Sequence, residues 1–245
     1  MWQASAEFTS RSNRPCPAQW PFQQPCLSLA TRDVDISAGM TKCSESDSLV
    51  THISVVAENL RSTDRALSRV QNPEQLSSVC LHGNLLTSCA HFSQLVDLTD
   101  LNLSANQITT VKDLGELPQL ANLNLSSNRL VNLDGFPALP KLSRLSIAHN
   151  RLTCLSGLCA LEGGCLNTAD IRSNRLSELR SLAVFASMPS LRTLSISGGV
   201  SGNPLAGMAG LQAAVAAALP QVWSLSLYMR AEVSCCSIQL HATCR

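Results

Sequence analysis

From residue 76 onward the apolar and polar positions repeat as an eleven-residue pattern, L-x-x-L-x-L-x-x-N-x-L. It is written as Leu76-Val79-Leu81-Asn84-Leu86, then as Leu98-Leu101-Leu103-Asn106-Ile108 and Leu120-Leu123-Leu125-Asn128-Leu130. Leu142-Leu145-Ile147-Asn150-Leu152 and Leu166-Ala169-Ile171-Asn174-Leu176 complete five full copies. A sixth, Leu191-Leu194-Ile196, lacks the asparagine, with Gly199 where it would fall, and a seventh fragment reads Val222-Leu225-Leu227. Successive asparagines lie 22, 22, 22 and 24 residues apart. The L-x-L centre alternates with period two, so it predicts a short strand with both apolar side chains inward and the residue between them outward. One repeat cannot bury its leucines alone; stacked copies can, at about 4.8 Å per step in a parallel sheet. The asparagine falls where the chain turns in. Its amide can serve buried turn backbone from both sides, so Asn84, Asn106, Asn128, Asn150 and Asn174 are expected to form a structural ladder.

After each asparagine the apolar residues step by three: Val111, Leu114 and Leu117 before Pro118; Leu133, Phe136 and Leu139 before Pro140; then Leu155, Leu158 and Leu161. This predicts 3₁₀-like or short helical segments on the outer side, stopped by the prolines. A solenoid also needs capped ends. Val56, Leu60, Leu67 and Val70 suggest one face of a helix ending before Pro73, and Met208, Leu211, Val215 and Leu219 suggest another ending at Pro220. Residues 1–48, rich in Pro, Ser and Gln and without periodicity, read as a disordered leader. The expected organisation is therefore leader 1–48, helical cap 49–75, repeats 76–202, C-terminal cap 203–230 and an unstructured tail 231–245.

These features identify the chain as a leucine-rich repeat protein: an α/β solenoid, a right-handed horseshoe with a parallel concave sheet, a helical or 3₁₀ convex side and helical caps. The outward strand residues then line the concave face. Short polar side chains there suit a helix or extended peptide, which makes Asp100, Asn102, Asn122, Asn124, Arg144, Asp170 and Arg172 the candidate partner contacts. Arg144, Asp170 and Arg172 are the expected charged anchors.

Composition removes other classes. In 245 residues, 45% are apolar and the net charge is +1 from 18 basic and 17 acidic side chains, without the basic excess of a nucleic-acid binder. The 11 cysteines are odd in number and contain no C-x-x-C pair. The densest group, Cys154, Cys159 and Cys165, reads as small apolar fillers of a packed loop, and no metal or cofactor is expected. The longest near-apolar run, Leu205 to Leu219, is shorter than the roughly 18–20 residues a membrane span needs. No G-x-S-x-G, phosphate-loop or H-E-x-x-H motif occurs, so the chain is read as a non-enzyme with protein partners and no small-molecule substrate.

The 22-residue step resembles the intracellular repeats of phosphatase regulatory subunits and axonemal dynein light chains. Two irregularities are more specific: the lengthened stretch Cys154-Leu155-Ser156-Gly157-Leu158 to Gly163-Gly164, and the 25-residue repeat ending at Gly202-Asn203-Pro204. With Leu81-His82-Gly83-Asn84 and the closing Leu219-Pro220-Gln221, they resemble the amino-terminal domain of the leucine-rich repeat and coiled-coil centrosomal proteins. That resemblance implies a cytoplasmic scaffold at the centrosome, centriole or basal body, acting in centriole or cilium organisation. The alternatives are a phosphatase regulatory subunit or a dynein-associated light chain. The sequence carries no heptad run of the coiled-coil kind.

Overall fold

A computed structural model describes residues 51–68, 70, 72–197 and 202–226, with the strand backbones Val34–Asp35 and Ser237–Gln239. Their L-x-L centres become the strands β3 (Ser78–Cys80), β4 (Asp100–Asn102), β5 (Asn122–Asn124), β6 (Arg144–Ser146), β7 (Thr168–Asp170), β8 (Thr193–Ser195) and β9 (Ser224–Ser226). All pair in parallel with their sequence neighbours and without a register slip: Leu101 faces Leu123, Leu123 faces Leu145, and Leu145 faces Ala169. The middle residue of each strand is buried, so the repeat leucines form one continuous core behind the sheet. Each fully buried aliphatic side chain contributes roughly 1.5–3 kcal/mol before chain entropy is subtracted.

The outer side of the 22-residue repeats takes the 3₁₀-like form of the two expected, without sustained helix. There the three-residue step is realised as isolated turns: the Leu114 N–H donates to the Val111 carbonyl and the Phe136 N–H to the Leu133 carbonyl, both at 3.1 Å. Only the longer repeats have room for sustained 3₁₀ segments, at Ser156–Leu161 and Leu179–Ser187.

The front end differs. The expected helical face from Val56 to Val70 does not form. Instead β2 (His52–Ser54) pairs in parallel with β3, and helix α1 covers only Asp64–Leu67. Ile53, Val55, Glu58 and Leu60 stand where Val79, Leu81, Asn84 and Leu86 stand in the next repeat. Leu60 is buried and its N–H donates to Asn84 Oδ1 at 3.1 Å, as the Leu86 N–H does to Asn106 Oδ1. Val56, at 43% exposure, takes an outward position. This segment is a divergent repeat whose 3.6-like spacing was coincidental. Helix α2 (Leu211–Ala218) closes the other end, burying Leu211 and Val215, with Leu219 buried just after it. Met208 is exposed and lies before the helix, because Gly210 (φ +76°) turns the chain between them.

Short extended segments occupy both sheet edges, which otherwise present unpaired backbone. β1 (Val34–Asp35) runs parallel to β2, and β10 (Ser237–Gln239) runs antiparallel to β9. At those positions the chain is therefore neither structureless leader nor structureless tail. The rest of the expected leader before residue 51, the rest of the expected tail and Gly199 lie outside the described residues.

The residue before each rung asparagine adopts left-handed backbone: Gly83, Ala105, Ser127, His149 and Ser173 all have φ between +52° and +71°. Only glycine does this without a Cβ penalty. Ala105→Gly should therefore raise stability by about 1 kcal/mol in urea unfolding, and Gly83→Ala should lower it by a similar amount.

Candidate functional site

The ladder forms as the spacing predicts. Asn128 Nδ2 donates to the carbonyls of Leu103, Leu125 and Ser126 at 3.0–3.2 Å, while its Oδ1 accepts the Ile108 N–H at 3.0 Å. Asn84, Asn106, Asn150 and Asn174 repeat the arrangement, each tying its own turn to the preceding repeat. A sixth rung is present that the sequence reading placed in the cap. Asn203, 3% exposed, donates to the carbonyls of Ile171 and Ile196 at 2.8 and 2.7 Å and accepts the Leu176 N–H at 3.2 Å. Its 29-residue distance from Asn174, and the proline after it, disguised it as a helix start.

On the strand face the register aligns two rows. Asp100, Asn122, Arg144 and Thr168 are successive partners in one; Asn102, Asn124, Ser146 and Asp170 in the other. Much of their hydrogen-bonding capacity is already used within the sheet. Asn122 Nδ2 donates to Asp100 Oδ1 at 2.5 Å. The oxygens of Asn102 and Asn124 each accept from both the backbone and the hydroxyl of the serine two residues on, Ser104 and Ser126. Ser126 and Ser146 share a 2.6 Å contact between hydroxyls. Asn122 Oδ1 is buried without a partner.

Asp170 is not the exposed anchor expected of it. At 3% exposure it sits beneath Arg172, whose Nε and Nη2 donate to its two oxygens at 2.8 Å, with the Arg172 backbone N–H adding a third bond at 3.2 Å. That bidentate fork raises the guanidinium pKa above its ordinary value against the opposing effect of burial. The pair acts as a unit: the buried carboxylate fixes Arg172 as a half-exposed, preorganised donor plane. Arg144 is exposed in the middle of its row. A further feature went unread in the sequence. Trp223, 58% exposed, carries the Arg192 guanidinium 5.0 Å from its ring centroid, and Arg192 Nη1 is held by the carbonyls of Pro189, Leu191 and Gln221.

The cysteines also differ from expectation. Cys154, Cys159 and Cys165 are exposed free thiols, not fillers; Cys159 stands outside because the 3₁₀ segment turns its neighbours Leu158 and Leu161 inward. Cys89 is buried; burial, and secondarily Asp113, pushes its thiol up to about 12. Among the described residues no His, Cys, Asp or Glu group is arranged to hold a metal, and no helix is long and apolar enough to cross a membrane.

The sequence profile of the leucine-rich repeat family matches residues 78–227. Among solved structures, a leucine-rich repeat protein of Leptospira interrogans superposes with a TM-score of 0.51 at 28% identity, covering 60% of this chain and 36% of that one. An internalin C2 of Listeria monocytogenes gives 0.45 at 24% identity, over 65% of this chain and 77% of that one. Another internalin of the same organism gives 0.40 at 19% identity, over 60% and 47%. The chain thus spans about a third of the Leptospira protein and about half of the second internalin. No curated protein matches it.

Proposed function

Because the chain belongs to the leucine-rich repeat family, we propose that it is a non-enzymatic protein-interaction module whose concave strand face receives the partner. The observation that carries this reading is the aligned row Asp100–Asn122–Arg144, flanked by Arg172 on its buried Asp170. The row runs from acid through amide to base across consecutive rungs, and its side chains are oriented before any partner arrives. Preorganisation of this kind lowers the entropy cost of association.

The test separates contact from folding. Arg172 is unsuitable for it, since its removal strands a buried carboxylate. Arg144→Glu combined with Asn122→Ala reverses and shortens the row while leaving the asparagine ladder intact. Partner recovery on the immobilised full chain should fall about tenfold, with the urea midpoint shifted by less than about 0.5 kcal/mol equivalent. Undiminished recovery would remove the concave face from consideration. The resemblance to the centrosomal family supports placing this module in the cytoplasm at centrioles or basal bodies, as a scaffold in centriole or cilium organisation. Imaging of a tagged chain checks that placement: diffuse signal without centriolar enrichment would count against it.

A further inference from the structure

A second surface lies on the edge of the solenoid, outside the strand face. We propose that Arg129, Arg151 and Arg175 form a docking strip for an extended acidic protein segment. Each arginine immediately follows a rung asparagine, so the ladder fixes all of them at one height on consecutive repeats. Backbone pairing repeats with them: the Arg129 N–H donates to the Ile108 carbonyl at 2.9 Å, the Arg151 N–H to Leu130 at 2.8 Å and the Arg175 N–H to Leu152 at 2.9 Å. All three are exposed. Among the described residues none makes a side-chain hydrogen bond or ion pair; the ion pairs present are Asp64–His91, Asp170–Arg172 and Glu178–Arg180.

The sheet repeat sets the three arginine backbones about 4.8 Å apart, so their like charges are brought side by side and gain nothing within the chain. The strip has definite ends: the equivalent positions are Leu85 and Gln107 before it, and Pro204 follows the next rung. Its neighbours two residues further along, Val131, Thr153 and Ser177, are exposed and uncharged, so no acid of the chain answers it there. Arginine forks are matched by carboxylates. In an extended segment, alternate carboxylates fall about 6.8 Å apart, a step that flexible arginine arms can follow along a 4.8 Å column. A nucleic acid is the poorer fit. With only three charges in the strip and a whole-chain net charge of +1, few counterions would be released on binding phosphates.

The proposal goes beyond the concave-face reading and is tested without it. A dye-labelled hexapeptide of alternating Glu and Asp is titrated with the full chain at low salt, and binding is followed by anisotropy. Changing Arg129, Arg151 and Arg175 together to Gln should weaken binding about tenfold, with no fall in Tm, while the corresponding Lys triple should stay within about threefold. Changing Lys112, Lys141 and Arg180 to Gln removes the same charge elsewhere and should leave binding unchanged. Equal loss in both Gln triples, no binding of the peptide, or equally tight binding of a labelled oligothymidylate would each overturn the proposal. None of these outcomes touches the Arg144→Glu, Asn122→Ala result, so the two surfaces stand or fall separately.

Discussion

Asn203→Ala should lower the stability of the chain by about 3 kcal/mol, as much as Asn128→Ala should. In both cases the side chain is buried and bridges two repeats. Removing Asn203 leaves the Leu176 N–H and the Ile196 carbonyl without a partner, away from water, and leaves the Ile171 carbonyl with the Asn174 amide alone. Each unsatisfied buried group costs roughly 1–3 kcal/mol, reduced where the turn can relax or admit water. Asn203→Asp is the sharper variant: the carboxylate keeps the acceptor for Leu176 but turns two donors into repulsion against carbonyls. It should be at least as damaging. Urea midpoints for the two alanine variants, compared at constant m-value, check the claim. A loss at Asn203 below about 0.5 kcal/mol, typical of an exposed loop side chain, would show that the ladder ends at Asn174.

That sixth rung shows where the sequence was legible and where it was not. Strand positions, their parallel order and the inward leucines could be read directly, because each depends on residues a fixed number of bonds apart. The rung depends on a distance in space. Asn203 has only to reach the carbonyls of Ile171 and Ile196, and the chain between strand and rung can lengthen while it does so. A search at constant spacing then finds Gly199 and misses the asparagine. The front repeat was missed for the opposite reason. Its internal spacing is regular, but it stands 26 residues before the next copy, exposed Glu58 replaces the amide at the end of the ladder, and the leftover apolar residues imitate a helix face. Within the candidate site the outward positions were assigned correctly to the strands. Burial was not, because whether Asp170 meets a partner or lies under Arg172 depends on the length of the arginine and on the repeat beside it. The arginine column was in plain view as residues 129, 151 and 175. It becomes a surface only once the rungs are stacked.

The largest single cost should come from a methyl group. Gly157 lies at the start of the 3₁₀ segment Ser156–Leu161, directly over the preceding repeat. A Cβ there would overlap the Leu133 carbonyl oxygen and come within 2.8 Å of the Leu133 Cβ. The carbonyl cannot move aside cheaply, because it accepts the 3.1 Å bond from Phe136 that forms the preceding turn. The repeats must therefore part. Gly157→Ala should cost about 3 kcal/mol or more, despite alanine's better intrinsic backbone entropy. Gly207→Ala is the matched control: its Cβ would meet nothing within 4 Å, so it should be neutral within about 0.5 kcal/mol. Stability in a solenoid is carried by neighbour interfaces, so the damage should also be directional. In hydrogen exchange, amides from 166 to 226 should lose protection in Gly157→Ala before those from 76 to 130. A uniform loss along the chain would mean that the repeats unfold as one unit. A loss no greater than that of Gly207→Ala would mean that the two repeats are not in contact at this glycine.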